Sequence, residues 1–180
     1  MMLSITVGPL ALFALVAAIT PGPNNLLMMR SGARFGVRRS LWHLWGVQCG
    51  FIGLVLLAHL GVGTLLVALP GSFTVLRWAC FGYLLWLGLV ILRDAKTRTT
   101  SDSSLPADTS KPMSWFEGTM FQLINPKAWM MAITVASAFY GGAAPSHWDL
   151  AIAILLCICV GAPSMLVWMV WGAVIDRVLK

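Results

Sequence analysis

Charge is what this chain has least of. Only 10% of its 180 residues are Asp, Glu, Lys or Arg, and six are acidic, against 59% hydrophobic residues and a mean hydropathy of +0.85. So little polar surface cannot cover a soluble domain of this length, so the composition specifies an integral membrane protein. Cysteine is scarce as well. Cys49, Cys80, Cys157 and Cys159 lie in apolar runs with neither a metal-ligand spacing nor a Cys-x-x-Cys pair, and they read as small buried hydrophobes. The embedded Ser/His, Asp/Asp and metal-ligand groupings that catalysis needs are missing, and His43, His59 and His147 are scattered over different segments. No enzymatic activity, catalytic residue, metal or cofactor is expected. The net charge of +6 comes from short basic clusters between apolar segments. These read as topology signals and exclude a nucleic-acid partner.

What the chain does have is five apolar segments, each longer than the roughly 20 residues that cross a bilayer core. They run from about Leu3 to Met29, Leu41 to Leu66, Ser72 to Leu92, Trp115 to Tyr140 and Asp149 to Val174. The first has no charged leader and exceeds a signal core, so it is expected to stay as a helix. Arg30, Arg34, Arg38 and Arg39 follow the first span, Arg93, Lys96, Arg98 and Lys111 the third, and Arg177 and Lys180 the fifth, whereas Gly61 to Gly71 and Gly141 to His147 hold no Lys or Arg. The positive-inside bias then places the N-terminus outside and the C-terminus in the cytoplasm. Residues 97–112, rich in Ser, Thr and Asp, are expected as a flexible cytoplasmic linker between residues 1–96 and 113–180. Trp42, Trp45, Trp115, Tyr140, Trp148 and Trp171 fall near span ends and read as headgroup anchors, with an aromatic substrate cage as the sharper alternative.

Two of these spans contain helix breakers deep inside them: Thr20-Pro21-Gly22-Pro23-Asn24-Asn25 in the first and Asn125-Pro126-Lys127 in the fourth. Proline removes a backbone donor and glycine admits conformations that a helix excludes, so each cluster frees peptide groups that hydrocarbon cannot satisfy. Such breaks persist at membrane depth where they are packed in protein or line a polar cavity. Counted from the basic clusters at 1.5 Å per residue, both lie about 14 Å inside, near the middle of the core. Lys127 is the only ionisable residue at that depth, so it should face water, a cluster of carbonyls or an anionic substrate group. Gln122, three positions before Asn125, adds an amide to the same face or bonds a neighbouring helix. Asn24 either meets a zwitterion or caps the restarting helix, and both roles can hold at once. Gln48, His59 and Thr134 are weaker polar candidates. Arg77 lies near enough to its span end to snorkel. Gly46 and Gly50 form a Gly-x-x-x-Gly step that suits close packing within the chain or, as the sharper alternative, a homo-oligomer.

The hexapeptide with Leu26-Leu27, the stretch Gly82-Tyr83-Leu84-Leu85-Trp86-Leu87-Gly88 and Asn125-Pro126-Lys127-Ala128 together resemble the LysE/RhtB family of amino-acid exporters. The likeness covers nearly the whole chain in order. It implies a multi-pass protein of the bacterial inner membrane that exports an amino acid or close derivative, driven by the proton-motive force and built from two inverted three-helix repeats. The substrate-binding positions it suggests, together with the polar neighbours read above, are Pro21, Gly22, Pro23, Asn24, Asn25, Gln122, Asn125, Pro126 and Lys127. Two departures stand out. Family members usually have six spans, so a five-span chain leaves the second repeat, residues 113–180, with two helices. Many relatives also have aspartate where this chain has Asn24. A second reading follows, of a truncated, transport-silent remnant or a subunit needing a partner chain.

Overall fold

The computed structural model describes residues 2–97, 111–137 and 147–178. Among them are eight α-helices and no strand: α1 Met2–Ile19, α2 Pro23–Phe35, α3 Val37–His59, α4 Val62–Ala68, α5 Ser72–Thr97, α6 Trp115–Ile124, α7 Pro126–Ser137 and α8 His147–Val178. The chain is an all-α polytopic membrane protein. α3, α5 and α8 are long and apolar enough to cross a membrane, and α1 with α2 does so as a pair bent by 54°. The segment expected as the fourth span is divided into helices of 10 and 12 residues, each too short to cross alone. Thus the five expected spans meet three whole helices, one bent pair and one divided segment. Residues 98–110, Tyr140, the segment from Gly141 to Ser146 and Lys180 lie outside the described residues, and with them most of the expected linker and external loop.

Local signals account for the other boundaries. The Arg-rich connection expected after the first span is instead helical, with α2 and α3 joined at the single residue Gly36, whose φ of 77° is open to glycine. Ser40 locks this corner by donating to the Gly36 carbonyl at 2.9 Å and accepting from the Ser31 hydroxyl at 2.7 Å. The expected second span stops short of Leu66 because Gly61, at φ 92°, turns the chain into α4. α6 begins with a capping box, in which Ser114 and Glu117 each accept the other's backbone N–H.

In lipid, helices associate through close backbone packing more than through burial of apolar area, and small residues set how near they come. Here α3 lies on α6 through Gly46 and Gly50: a Cβ on Gly46 would overlap the Trp115 carbonyl, and one on Gly50 would sit 2.6 Å from the Thr119 carbonyl oxygen. Thr119 returns a hydrogen bond to the Gly46 carbonyl at 3.0 Å. The Gly-x-x-x-Gly step is therefore occupied within the chain. α2 lies on α8 through a reciprocal pair, Gly32 against the Met169 backbone and Gly172 against the Met29 backbone. Around these seams, Leu54, Val55, Ala132 and Val135 pack between α3 and α7, and Met28, Val47 and Met169 pack among α2, α3 and α8. α5 has little that is fully buried: Cys80, Tyr83, Leu84 and Leu87 pack inward, while Trp78, Phe81 and Trp86 are exposed, as suits a helix with one side facing lipid. Arg77 is exposed as well.

Candidate functional site

The two breaks meet. Gly22 and Asn125 both take extended backbone conformations, each followed by a proline at the first position of the next helix, where the missing N–H costs nothing. Their carbonyls accept the first bonds of α2 and α7, Leu26 N–H to Gly22 at 3.0 Å and Trp129 N–H to Asn125 at 3.2 Å. Asn125 also caps α7, its Oδ1 accepting the Lys127 N–H at 3.1 Å. By contrast, no side chain caps α2, so the first-turn N–H groups of Asn24 and Asn25 keep the positive end of that helix uncompensated.

The carbonyl stump of α1 is largely satisfied from elsewhere. Asn25 donates to Ala18 at 2.8 Å and to Thr20 at 2.9 Å, and the Trp168 indole donates to Ile19 at 3.3 Å. Lys127 reaches from α7 across Gly22 and donates from Nζ to the Thr20 carbonyl at 2.6 Å. Its path explains Gly22, since a Cβ there would lie 2.8 Å from Lys127 Cδ. The ammonium thus sits at the negative end of the α1 dipole, which favours a cation. Of the carbonyls expected as partners for Lys127 one is engaged, that of Thr20, and two of the ammonium's three N–H donors remain for other partners. Ala17 is different: its carbonyl has lost its helical donor because Pro21, four residues on, has no N–H.

A cavity of about 70 Å³ opens beside this junction, with Gly22, Asn24, Asn25, Asn125 and Lys127 in its wall. It has room for a handful of water molecules. Pro21, Pro23, Pro126 and Gln122 are not in that wall. The prolines shape the breaks, and Gln122, fully buried, forms a reciprocal amide pair with Asn24 at 3.0 and 3.1 Å. That pair ties α2 to α6, so Gln122 is a helix–helix bond instead of a cavity amide, and Asn24 has both side-chain atoms engaged. The rest of the wall is mostly apolar and comes from α1, α3, α7 and α8: Ala14, Ala17, Ala18, Val47, Phe51, Met131, Val135 and Val160, with Gln48, Cys157 and Gly161. Gln48 is only a weaker polar candidate from the sequence, Cys157 is buried as its apolar run implies, and Gly161 is a wall residue outside the sequence candidates. Gly161 stands two residues before Pro163, a third helix-weakening cluster in the sequence that signals close approach. Thr134 faces outward, bonded to the Met130 carbonyl at 2.8 Å, and His59 lies by a separate outer hollow.

Both nitrogens of the buried His43 lack a hydrogen-bond partner among the described residues. Its ring lies against Gly118, one turn from Gln122, and not in the wall of the cavity. Among the described residues no group of His, Cys, Asp or Glu is arranged to hold a metal.

Two broken helices meeting beside a half-open cavity with polar groups in its wall define a membrane protein of the transporter class. The profile of the LysE type translocator family matches residues 15–179, and the chain belongs to that family. It is similar to proteins named cysteine/O-acetylserine efflux protein from Escherichia coli strain K12, Escherichia coli O139:H28 and Shigella sonnei strain Ss046. Each is 29% identical over 170 residues, covering 93% of this chain and 83% of the relative. No solved structure matches.

Proposed function

We propose that this protein exports a small amino acid or close derivative across the bacterial inner membrane, binding it where the two breaks meet. The observation that carries the reading is the Lys127 ammonium beside a small cavity, next to the uncapped N-terminus of α2. A carboxylate is the natural ligand for that pair of positive features. The names of the relatives, efflux proteins for cysteine and O-acetylserine, agree with a small zwitterionic substrate. On this reading Gly22, Asn125 and Lys127 contact or make room for substrate, whereas Pro21, Pro23 and Pro126 hold the breaks open. Residues 1–96 and 113–180 act as two inverted repeats, each contributing one break to a midplane site. The resemblance to exporters of this family supports coupling to the proton-motive force. Asn24, an amide, cannot itself carry the proton.

Expression in a strain sensitive to toxic amino-acid analogues tests the proposal. Resistance with lowered intracellular analogue is expected, and membrane insertion without resistance would favour the transport-silent or partner-dependent reading. In the same assay, replacing Pro21, Gly22 and Pro23 by alanine should let α1 continue into α2. Alanine lacks the roughly 3 kcal/mol penalty that each proline would impose on a continuous helix, so membrane levels should hold or rise while export is lost. Export at the wild-type rate would refute a broken-helix site.

The arginine clusters support an external N-terminus and a cytoplasmic C-terminus. Cysteines introduced at Ser103 and Ser146, both outside the described residues, should label from the cytoplasmic and external sides respectively. Labelling of both from outside sealed cells would overturn this orientation.

A further inference from the structure

We infer that Gln48 receives the substrate's ammonium group, and that the cavity accordingly admits amino acids with uncharged side chains and rejects dibasic ones. This rests on the export reading above and deepens it.

The argument starts from which polar atoms in the cavity are already engaged. The donors are plentiful: two N–H bonds of Lys127 Nζ, the Asn125 Nδ2 group, and the first-turn amides of α2. Acceptors are few. Ala18, Ile19 and Thr20 have their carbonyls taken by Asn25, Trp168 and Lys127, so most of the α1 stump cannot hold a cation. Asn24 Oδ1 is held by Gln122, and Asn125 Oδ1 by the Lys127 amide. Three acceptors are left in the wall: the Ala17 carbonyl, Oδ1 of Asn25 and Oε1 of Gln48. The Asn25 amide shares the Thr20 carbonyl with the Lys127 ammonium, so a second cation is disfavoured beside it.

Gln48 is built for the role. It is 3% exposed, and its Nε2 donates to the Ile158 carbonyl at 3.4 Å, which fixes which end of the amide is oxygen. Oε1 accepts no hydrogen bond among the described residues, and the residue facing it is Gly161, where a Cβ would come within 3.1 Å of that atom. That oxygen is open to the cavity, so an ammonium group entering it would find an acceptor that no protein donor occupies. No carboxylate is in the cavity wall. A second positive charge, as on lysine or arginine, would meet Lys127 and have no counter-charge, whereas a hydroxyl, thiol or small apolar side chain fits against Val47, Phe51, Val135 and Val160.

The test is efflux of radiolabelled serine, alanine, cysteine, lysine and arginine from proteoliposomes containing the full chain. For the wild type, at least one neutral amino acid should leave roughly tenfold faster than either dibasic one. Gln48→Leu should slow neutral efflux roughly tenfold, mainly through KM, at unchanged thermal stability in detergent. Gln48→Glu, nearly the same size, should raise lysine efflux several-fold while lowering that of the neutral substrates. Gly161→Ala, which crowds Oε1, should raise KM in the same direction as Gln48→Leu, and it serves as the probe if the leucine variant does not fold. Wild-type efflux of lysine as fast as that of the fastest neutral amino acid would overturn the inference, as would neutral efflux unaffected by both Gln48→Leu and Gly161→Ala. Either of those results leaves the export reading standing, whereas a wild type that moves none of the five overturns both.

Discussion

Lys127→Met should abolish export while the protein still inserts and folds. The side chain keeps much of its length and loses the ammonium that donates to the Thr20 carbonyl. As a cap of α1 alone, the group contributes about 1.5–3 kcal/mol, the usual range for a hydrogen bond to a charged group. Its loss would then appear as a lower melting temperature in detergent with export following the amount of folded protein. As a carboxylate ligand it contributes in addition to binding, and truncating one partner of a buried charge pair costs about 2–5 kcal/mol, or roughly 30-fold to several-thousand-fold. Efflux per folded molecule is therefore the discriminating measurement. A fall of at least roughly 30-fold is expected, with poor rescue by Lys127→Arg, because the planar guanidinium is larger than the space that Gly22 leaves open. Full efflux by the methionine variant at matched expression would show that the charge serves only α1.

Gly172→Leu should have the largest effect on folding. A Cβ at Gly172 would overlap the Met29 carbonyl of α2, and one at Gly32 the Met169 carbonyl of α8. Neither obstacle is a flexible side chain that can rotate away, so the helices must separate, and overpacking of this kind costs on the order of 1–3 kcal/mol or more. The monodisperse, detergent-extracted fraction of Gly172→Leu is expected to fall severely, and Gly172→Ala to be intermediate. Gly53→Leu and Gly82→Leu supply the control, because nothing lies within 4 Å of a Cβ at either position. If Gly172→Leu were extracted as well as Gly82→Leu, the seam would be looser than described.

The breaks were legible because proline and glycine carry their backbone consequences in the sequence: Pro21, Gly22, Pro23 and Pro126 mark where α1 and α6 give way to α2 and α7. Gly36 and Gly61 carry the same kind of signal, yet the apolar or basic runs around them hid the turns, and the chain read as one connection and one longer span. Side-chain partners were less legible. Gln122 and Asn24 are far apart in sequence, and nothing in either residue says that the two amides face each other. The reciprocal seam of Gly32 and Gly172 was invisible for a related reason. Gly32 is alone in α2 and Gly172 is far along α8 from Gly161, so neither makes a close repeat, and the meaning of each depends on which backbone lies opposite. Lys127 was the opposite case, because depth alone demanded a partner, although the sequence could not say that a carbonyl at the end of α1 would be one of them.

The α2–α8 seam also fixes how the first break is aimed. Because α2 is fitted to α8 backbone against backbone at Gly32 and Gly172, these two helices form one beam. The 54° angle at the first break is then set by how α1 leaves that beam, and Lys127, Asn25 and Trp168 hold its end in place like guys on a mast.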